Sequence, residues 1–170
     1  HIDENVTGAV VGTLSITEPE GSIHTGHVWT LSGADADLFE IVNSQLKLKS
    51  TVSSDYETQS NYYVTAIASS ESDQTTHSRY FVVRVNDASE GPTAITLSSS
   101  SIEENSAAGT IIGNFSATDP DSGDTHSFSV VDGTGSHLFE INANNQLVVK
   151  SGASLDYETL ANPTVTIRTT

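Results

Sequence analysis

The chain says the same thing twice. Ile2-Asp3-Glu4-Asn5 returns as Ile102-Glu103-Glu104-Asn105, Leu38-Phe39-Glu40-Ile41 as Leu138-Phe139-Glu140-Ile141, and Asp55-Tyr56-Glu57-Thr58 as Asp156-Tyr157-Glu158-Thr159. The spacing is about 100 residues each time, a normal domain length. Self-similarity at one fixed period marks a tandem array. The 170 residues therefore divide into two copies of one unit, and each copy has to bury its own core. The repeated words are acidic, so each copy also has to manage clustered carboxylates.

The pattern inside each copy is β. Thr, Ser and Val dominate, and apolar residues never hold a 3.6-residue period. Residues 62–67, 80–85, 95–97, 110–115, 127–131, 146–149 and 164–167 are rich in β-branched and aromatic side chains and read as strands. Turn clusters separate them: Glu18-Pro19-Glu20-Gly21, Asp119-Pro120-Asp121-Ser122-Gly123 and Asp132-Gly133-Thr134-Gly135. Short strands at such intervals predict sandwiches. The expected fold is all-β, two Greek-key β-sandwiches in tandem with an immunoglobulin-like architecture.

The boundary is expected in the linker at residues 86–92, Asn-Asp-Ala-Ser-Glu-Gly-Pro, giving copies at 1–91 and 92–170. Pro92 forces an extended entry into the next strand. Copy one lacks the lead-in strand that copy two has at Ala94–Leu97, and copy two lacks a counterpart of Tyr80–Val85. The chain reads as a slice of a longer array.

Charge narrows the partners. Twenty-two acids against six bases leave a formal net charge of −16. No basic stripe exists to meet phosphate, so nucleic acid is an unsuitable partner. Apolar runs are too short to insert into a membrane. The absence of cysteine excludes disulfides and thiolate zinc sites. A metal cation is the natural counterpart of the repeated acids, and calcium accepts six to eight oxygens from carboxylates and carbonyls in flexible geometry.

Glu-Asn near the first strand, Asp-Tyr-Glu between middle strands, an acidic linker ending in Pro and then Asp-Pro-Asp resemble tandem cadherin repeats. The wording Leu-Phe-Glu-Ile, Leu-Asp-Tyr-Glu-Thr and Ala-Thr-Asp-Pro-Asp-Ser-Gly is most similar to the cadherin-like repeats of large bacterial surface and secreted proteins. This resemblance implies calcium ions at the junction, a rigid extracellular rod, and a non-enzymatic spacer role in adhesion. It implies Glu4, Asp55 and Glu57 as ligands from copy one. From the linker it implies Asp87 and Glu90 by side chain and Ala88 and Gly91 by carbonyl, with Ser89 offering a hydroxyl where the family usually has Asn. From copy two it implies Asp119 and Asp121. Seven carboxylates gathered there would repel one another, and two or three calcium ions would nearly balance them. Ser70 stands where the family places an Asp. Glu104, Asp156 and Glu158 form half of a further set. The implied partners are calcium and either another cadherin-like chain or a surface polysaccharide.

Other signals carry less. Asp119-x-Asp121-x-Gly123 opens like an EF-hand loop, but its glycine is one position early and Val130 stands where a bidentate Glu is required. His24-x-x-His27 lacks a third ligand of suitable spacing. Trp29 is expected in the core rather than as a sugar platform. No nucleophile-base arrangement stands out, so no catalytic residue is assigned. The competing reading is a polysaccharide-binding module of a secreted carbohydrate-active protein. It predicts exposed aromatics on one face, and aromatics are only 6% of the chain.

Overall fold

The structure, a computed structural model, describes residues 1–17, 27–70 and 75–170. The turn cluster at 18–21 and His24 lie outside these residues. The chain divides into two compact units, His1–Ala88 and Ser89–Thr170.

The first unit contains β1 (Ile2–Asp3), β2 (Val10–Thr13), β3 (His27–Ser32), β4 (Phe39–Val42), β5 (Gln45–Leu48), β6 (Asn61–Ser70) and β7 (Thr76–Asn86). One sheet has the order β1-β7-β6-β3 and the other β2-β5-β4. β1 runs parallel to β7, with Ile2 opposite Val85, and the other neighbours are antiparallel. The chain changes sheet between β1 and β2, between β2 and β3, between β3 and β4, and between β5 and β6, which makes a Greek-key sandwich. Alternation decides what is buried. Tyr62, Val64, Ala66 and Ala68 point inward from β6 while Tyr63, Thr65, Ile67 and Ser69 point outward. Ile2, Tyr62, Val64, Val83 and Val85 of one sheet pack on Phe39, Leu46 and Leu48 of the other. Phe39 meets Tyr62 edge to face at 5.7 Å.

The second unit contains β8 (Ala94–Leu97), β9 (Ile111–Thr118), β10 (Phe128–Asp132), β11 (Phe139–Ile141), β12 (Gln146–Val149) and β13 (Thr166–Thr169). Its sheets are β11-β12-β9-β8 and β10-β13. Ile112, Phe115, Leu138, Phe139, Leu147, Val149 and Leu155 form the core, with Phe128 stacked on Phe115 at 5.4 Å. The last strand starts two residues later than the sequence pattern predicts. Thr164 donates its N–H to the Thr134 hydroxyl (3.0 Å) and accepts from the Gly135 N–H (2.8 Å). Those bonds hold the chain in the turn after β10, and the ladder with β10 begins at Thr166.

Candidate metal centre

Each Glu-Asn word bends the chain in the same way. Asn5 and Asn105 adopt φ of 60° and 59°, a left-handed conformation that Asn tolerates better than most residues. Asn5 donates its N–H to the Ser54 carbonyl (2.8 Å), and Asn105 donates to Leu155 (3.0 Å). That bond ties the bend to the residue just before each Asp-Tyr-Glu-Thr word. In that word Asp55 accepts from the Thr58 N–H and hydroxyl, both at 2.9 Å, and its carbonyl accepts from Gln59. The result is a single capped turn. Asp156 and Thr159 repeat it. The Thr58 hydrogen bonds, backbone first, hold the Asp55 carboxyl below its ordinary value, and the Thr159 hydroxyl does the same for Asp156.

The consequence in the first unit is a buried carboxylate. Glu4 is only 3% exposed. Its two oxygens accept from the Tyr56 N–H at 2.8 Å and the Ala88 N–H at 2.5 Å, so it joins the capped turn to the strand end after β7. Glu4, Glu57 and Asp87 each present an oxygen, all within 4.8 Å of one another. Asp55 is outside this tightest set. Three like charges at that distance repel by roughly 1 kcal/mol per pair even in water, and more where burial lowers the dielectric. A carboxylate oxygen that accepts one N–H keeps a lone pair for a cation.

The second unit carries two further groups. Glu104, Asp156 and Glu158 form the counterpart of the first set, again with oxygens within 4.8 Å, but all three are exposed. Glu104 accepts from Tyr157 at 3.2 Å, as Glu4 does from Tyr56. Asp119, Asp121 and Asp124 gather in the loop after β9. Asp119 Oδ1 accepts from the Asp121 N–H at 3.1 Å, and Asp121 Oδ2 accepts from the Glu90 N–H at 2.6 Å. The Asp119 side chain is 6% exposed, and its Oδ2 is buried without a hydrogen-bond partner, although His126 Nε2 lies 3.3 Å away. A buried carboxylate oxygen left so is costly unless something positive meets it.

Within each unit the expected ligands can be placed. Glu4, Glu57 and Asp87 come together in the first unit, with Asp55 in the adjoining turn and the backbone of Ala88 held by Glu4. Ser89, Glu90 and Gly91 belong to the irregular chain that opens the second unit, where Glu90 is tied to Asp121. Asp119 and Asp121 share a loop with Asp124, which the sequence reading did not include. The signal for Asp124 was present in the run Asp-Pro-Asp-Ser-Gly-Asp, where Gly123, at φ 113°, turns the chain back. Trp29 is half-buried on the inward side of β3 and lines a cleft of about 340 Å³ with Ala66, Ala68 and Phe81. Among the described residues, no helix is long and apolar enough to cross a membrane.

Comparison with known proteins bears on this arrangement. The family model described as "Cadherin domain" matches residues 98–170. Comparison with curated proteins gave no match. Among solved structures, human Protocadherin-24 EC1-2 (form II) aligns with a TM-score of 0.72 at 22% identity, covering 98% of this chain and 88% of that one. Mouse Cadherin-23 EC22-24 gives 0.61 at 21% identity, over 99% of this chain and 62% of that one. Chicken VE-cadherin EC1-2 gives 0.51 at 15% identity, over 99% and 86%. At these identities the likeness speaks for the fold, which is that of cadherin-like repeats, with the cadherin domain itself matched over residues 98–170.

Proposed function

We propose that the chain is a calcium-binding extracellular module that acts as a calcium-rigidified spacer in adhesion. The observation that carries this reading is the buried Glu4 drawn within 4.8 Å of Glu57 and Asp87, three acids distant in sequence and brought together by the fold. The Oδ2 of Asp119, buried without a hydrogen-bond partner and with only the His126 ring 3.3 Å away, supports it from the second unit. The donor set fits calcium: all-oxygen, mostly carboxylate, held by short turns that can adjust. Glu4, Asp55, Glu57 and Asp87 would bind from the first unit. Asp119 and Asp121, with Asp124 beside them, would bind from the second. Glu90 and Ser89 would add side-chain oxygens, and Ala88 and Gly91 would add carbonyls. Calcium would then neutralise the acids gathered in each unit. Magnesium should serve poorly, because it demands tight octahedral geometry and dehydrates reluctantly.

Calorimetric titration and small-angle scattering, each in calcium and in chelator, test the proposal. Heat of binding with calcium, little with magnesium, and a narrower distance distribution in calcium are expected. An absence of binding heat would sink the metal assignment. Binding without any change in the distance distribution would remove the spacer role alone.

A further inference from the structure

The first unit carries a surface that calcium chemistry does not use. On β6 and β7, Tyr63 and Tyr80 both point away from the core, at 42% and 58% exposure. They sit diagonally across the two strands, since Tyr63 opposes Val82 and Thr65 opposes Tyr80. Their rings lie 6.4 Å apart and only 14° from parallel. Each ring is therefore held in place by the other and by a rigid antiparallel pair. Val28 and Val82 lie exposed on the same outer face. Hydroxyls of Thr30, Ser32 and Ser78 surround them.

What this face lacks matters as much. In a chain with 22 acids, β3, β6 and β7 carry no carboxylate at all. The sheet's only acid is Asp3 on β1, which accepts from Asn86 at 2.8 Å. As a cross-strand pair the two rings add only a little to the stability of the sheet. Half-exposed rings gain little from burial, and exposed aromatic patches on soluble proteins mark binding surfaces.

We infer that the outer face of the β1-β7-β6-β3 sheet, centred on Tyr63 and Tyr80, binds an uncharged polysaccharide. The negative ring faces attract the polarised C–H face of a sugar ring. The flanking hydroxyls exchange hydrogen bonds with sugar hydroxyls, each able to donate or accept. An anionic polymer would approach a protein of charge −16 at a cost. A basic partner would find its carboxylates elsewhere on the chain. A second copy would bring the same −16 with it. A neutral, hydroxyl-rich chain suits a face whose strands are aromatic and hydroxyl-bearing, where the nearby Asp35 carboxylate is taken up by the Tyr63 N–H (2.7 Å) and Arg84 supplies the one cation of the outward side of β7.

Native electrophoresis in gels containing hydroxyethyl-cellulose, dextran or xylan, with carboxymethyl-cellulose as the charged control, tests the inference on the whole chain. At least one uncharged polymer should retard the protein, in calcium and in chelator alike, and the charged polymer should not. Each ring is worth roughly 2- to 10-fold in affinity. Tyr63→Thr together with Tyr80→Ala should therefore weaken retardation by roughly 4- to 100-fold, and Tyr80→Phe should retain it. Unchanged Trp29 fluorescence melts would show that the variants fold. No retardation by any uncharged polymer, or retardation indifferent to both tyrosines, overturns the assignment. So does a concentration-dependent dimer in sedimentation that Tyr80→Ala abolishes, since the face would then belong to a second copy. The inference does not rest on the calcium reading: gels can fail while calcium still raises the melting temperature, and the reverse.

Discussion

Replacing Glu4 by Gln separates what this carboxylate does for the fold from what it does for a cation. Glu4 is 3% exposed and accepts from two backbone N–H groups, those of Tyr56 and Ala88. Glutamine keeps one acceptor oxygen and turns an NH2 group toward the other donor. One buried N–H is then left unsatisfied, at a cost of about 1–3 kcal/mol. The substitution also removes two repulsions, with Glu57 and with Asp87, each roughly 1 kcal/mol in water. In chelator these effects nearly cancel, and the variant should melt within several degrees of the wild type. In calcium they do not. An ion at 100-fold excess over its Kd stabilises the native state by about 2.7 kcal/mol. For a unit the size of His1–Ala88, each kcal/mol corresponds to about 4–8 °C. Calcium should therefore raise the wild-type transition by roughly 10–20 °C, and Glu4→Gln should lose more than half of that rise. The single tryptophan, Trp29, lies in the first unit, so its fluorescence follows this transition alone. Coincident wild-type melts in calcium and chelator, or an undiminished calcium shift in Glu4→Gln, would refute the reasoning.

Two further outcomes follow from the packing and the capped turns. Leu48 is fully buried between the sheets, and Leu48→Ala should destabilise the first unit by about 2–5 kcal/mol in urea titrations followed through Trp29; a cost below 1 kcal/mol would mean the site collapses without a cavity. The Asp55 carboxyl is depressed by its Thr58 hydrogen bonds, so its stabilising contribution is present above the ordinary value of 3.8 and lost as pH falls through the lower folded value. Thr58→Val removes the hydroxyl bond and should raise the Asp55 titration midpoint toward 3.8 in a carboxyl-detected NMR titration; an unmoved midpoint would show that the hydroxyl does not contribute.

Much of the molecule was legible in the order of its residues. A fixed period announces two copies without any knowledge of their shape, because a repeated core pattern must be buried twice. The long strands β6 and β7 could be read over 62–67 and 80–85, where β-branched and aromatic residues concentrate, but not to their full ten and eleven residues. Of the short ones, β8 and β12 were legible at 95–97 and 146–149, whereas β4 and β5 were not. β4 and β5 have four residues each and are joined by Asn43 and Ser44, both at positive φ, a two-residue hairpin whose turn signal is weaker than Asn-Gly. β13 was read two residues early, because nothing local reveals that Thr164 spends its hydrogen bonds on Thr134 and Gly135.

The sequence alone also named the acidic residue types and their repetition, since carboxylates need no fold to be counted. Which of them meet was decided by tertiary structure. Proximity among Glu4, Glu57 and Asp87 depends on the left-handed Asn5, the turn capped by Asp55 and the end of β7 converging on one buried carboxylate, and no local spacing encodes that. Asp124 is the contrary case: it lies beside Asp119 and Asp121 through a local turn at Gly123, and the run Asp-Pro-Asp-Ser-Gly-Asp carried that signal. Tertiary structure decides most plainly for Tyr63 and Tyr80. They are seventeen residues apart in sequence and look like ordinary strand aromatics. The antiparallel register between β6 and β7 sets their rings side by side on the outer face, and register is a property of two strands rather than of either one.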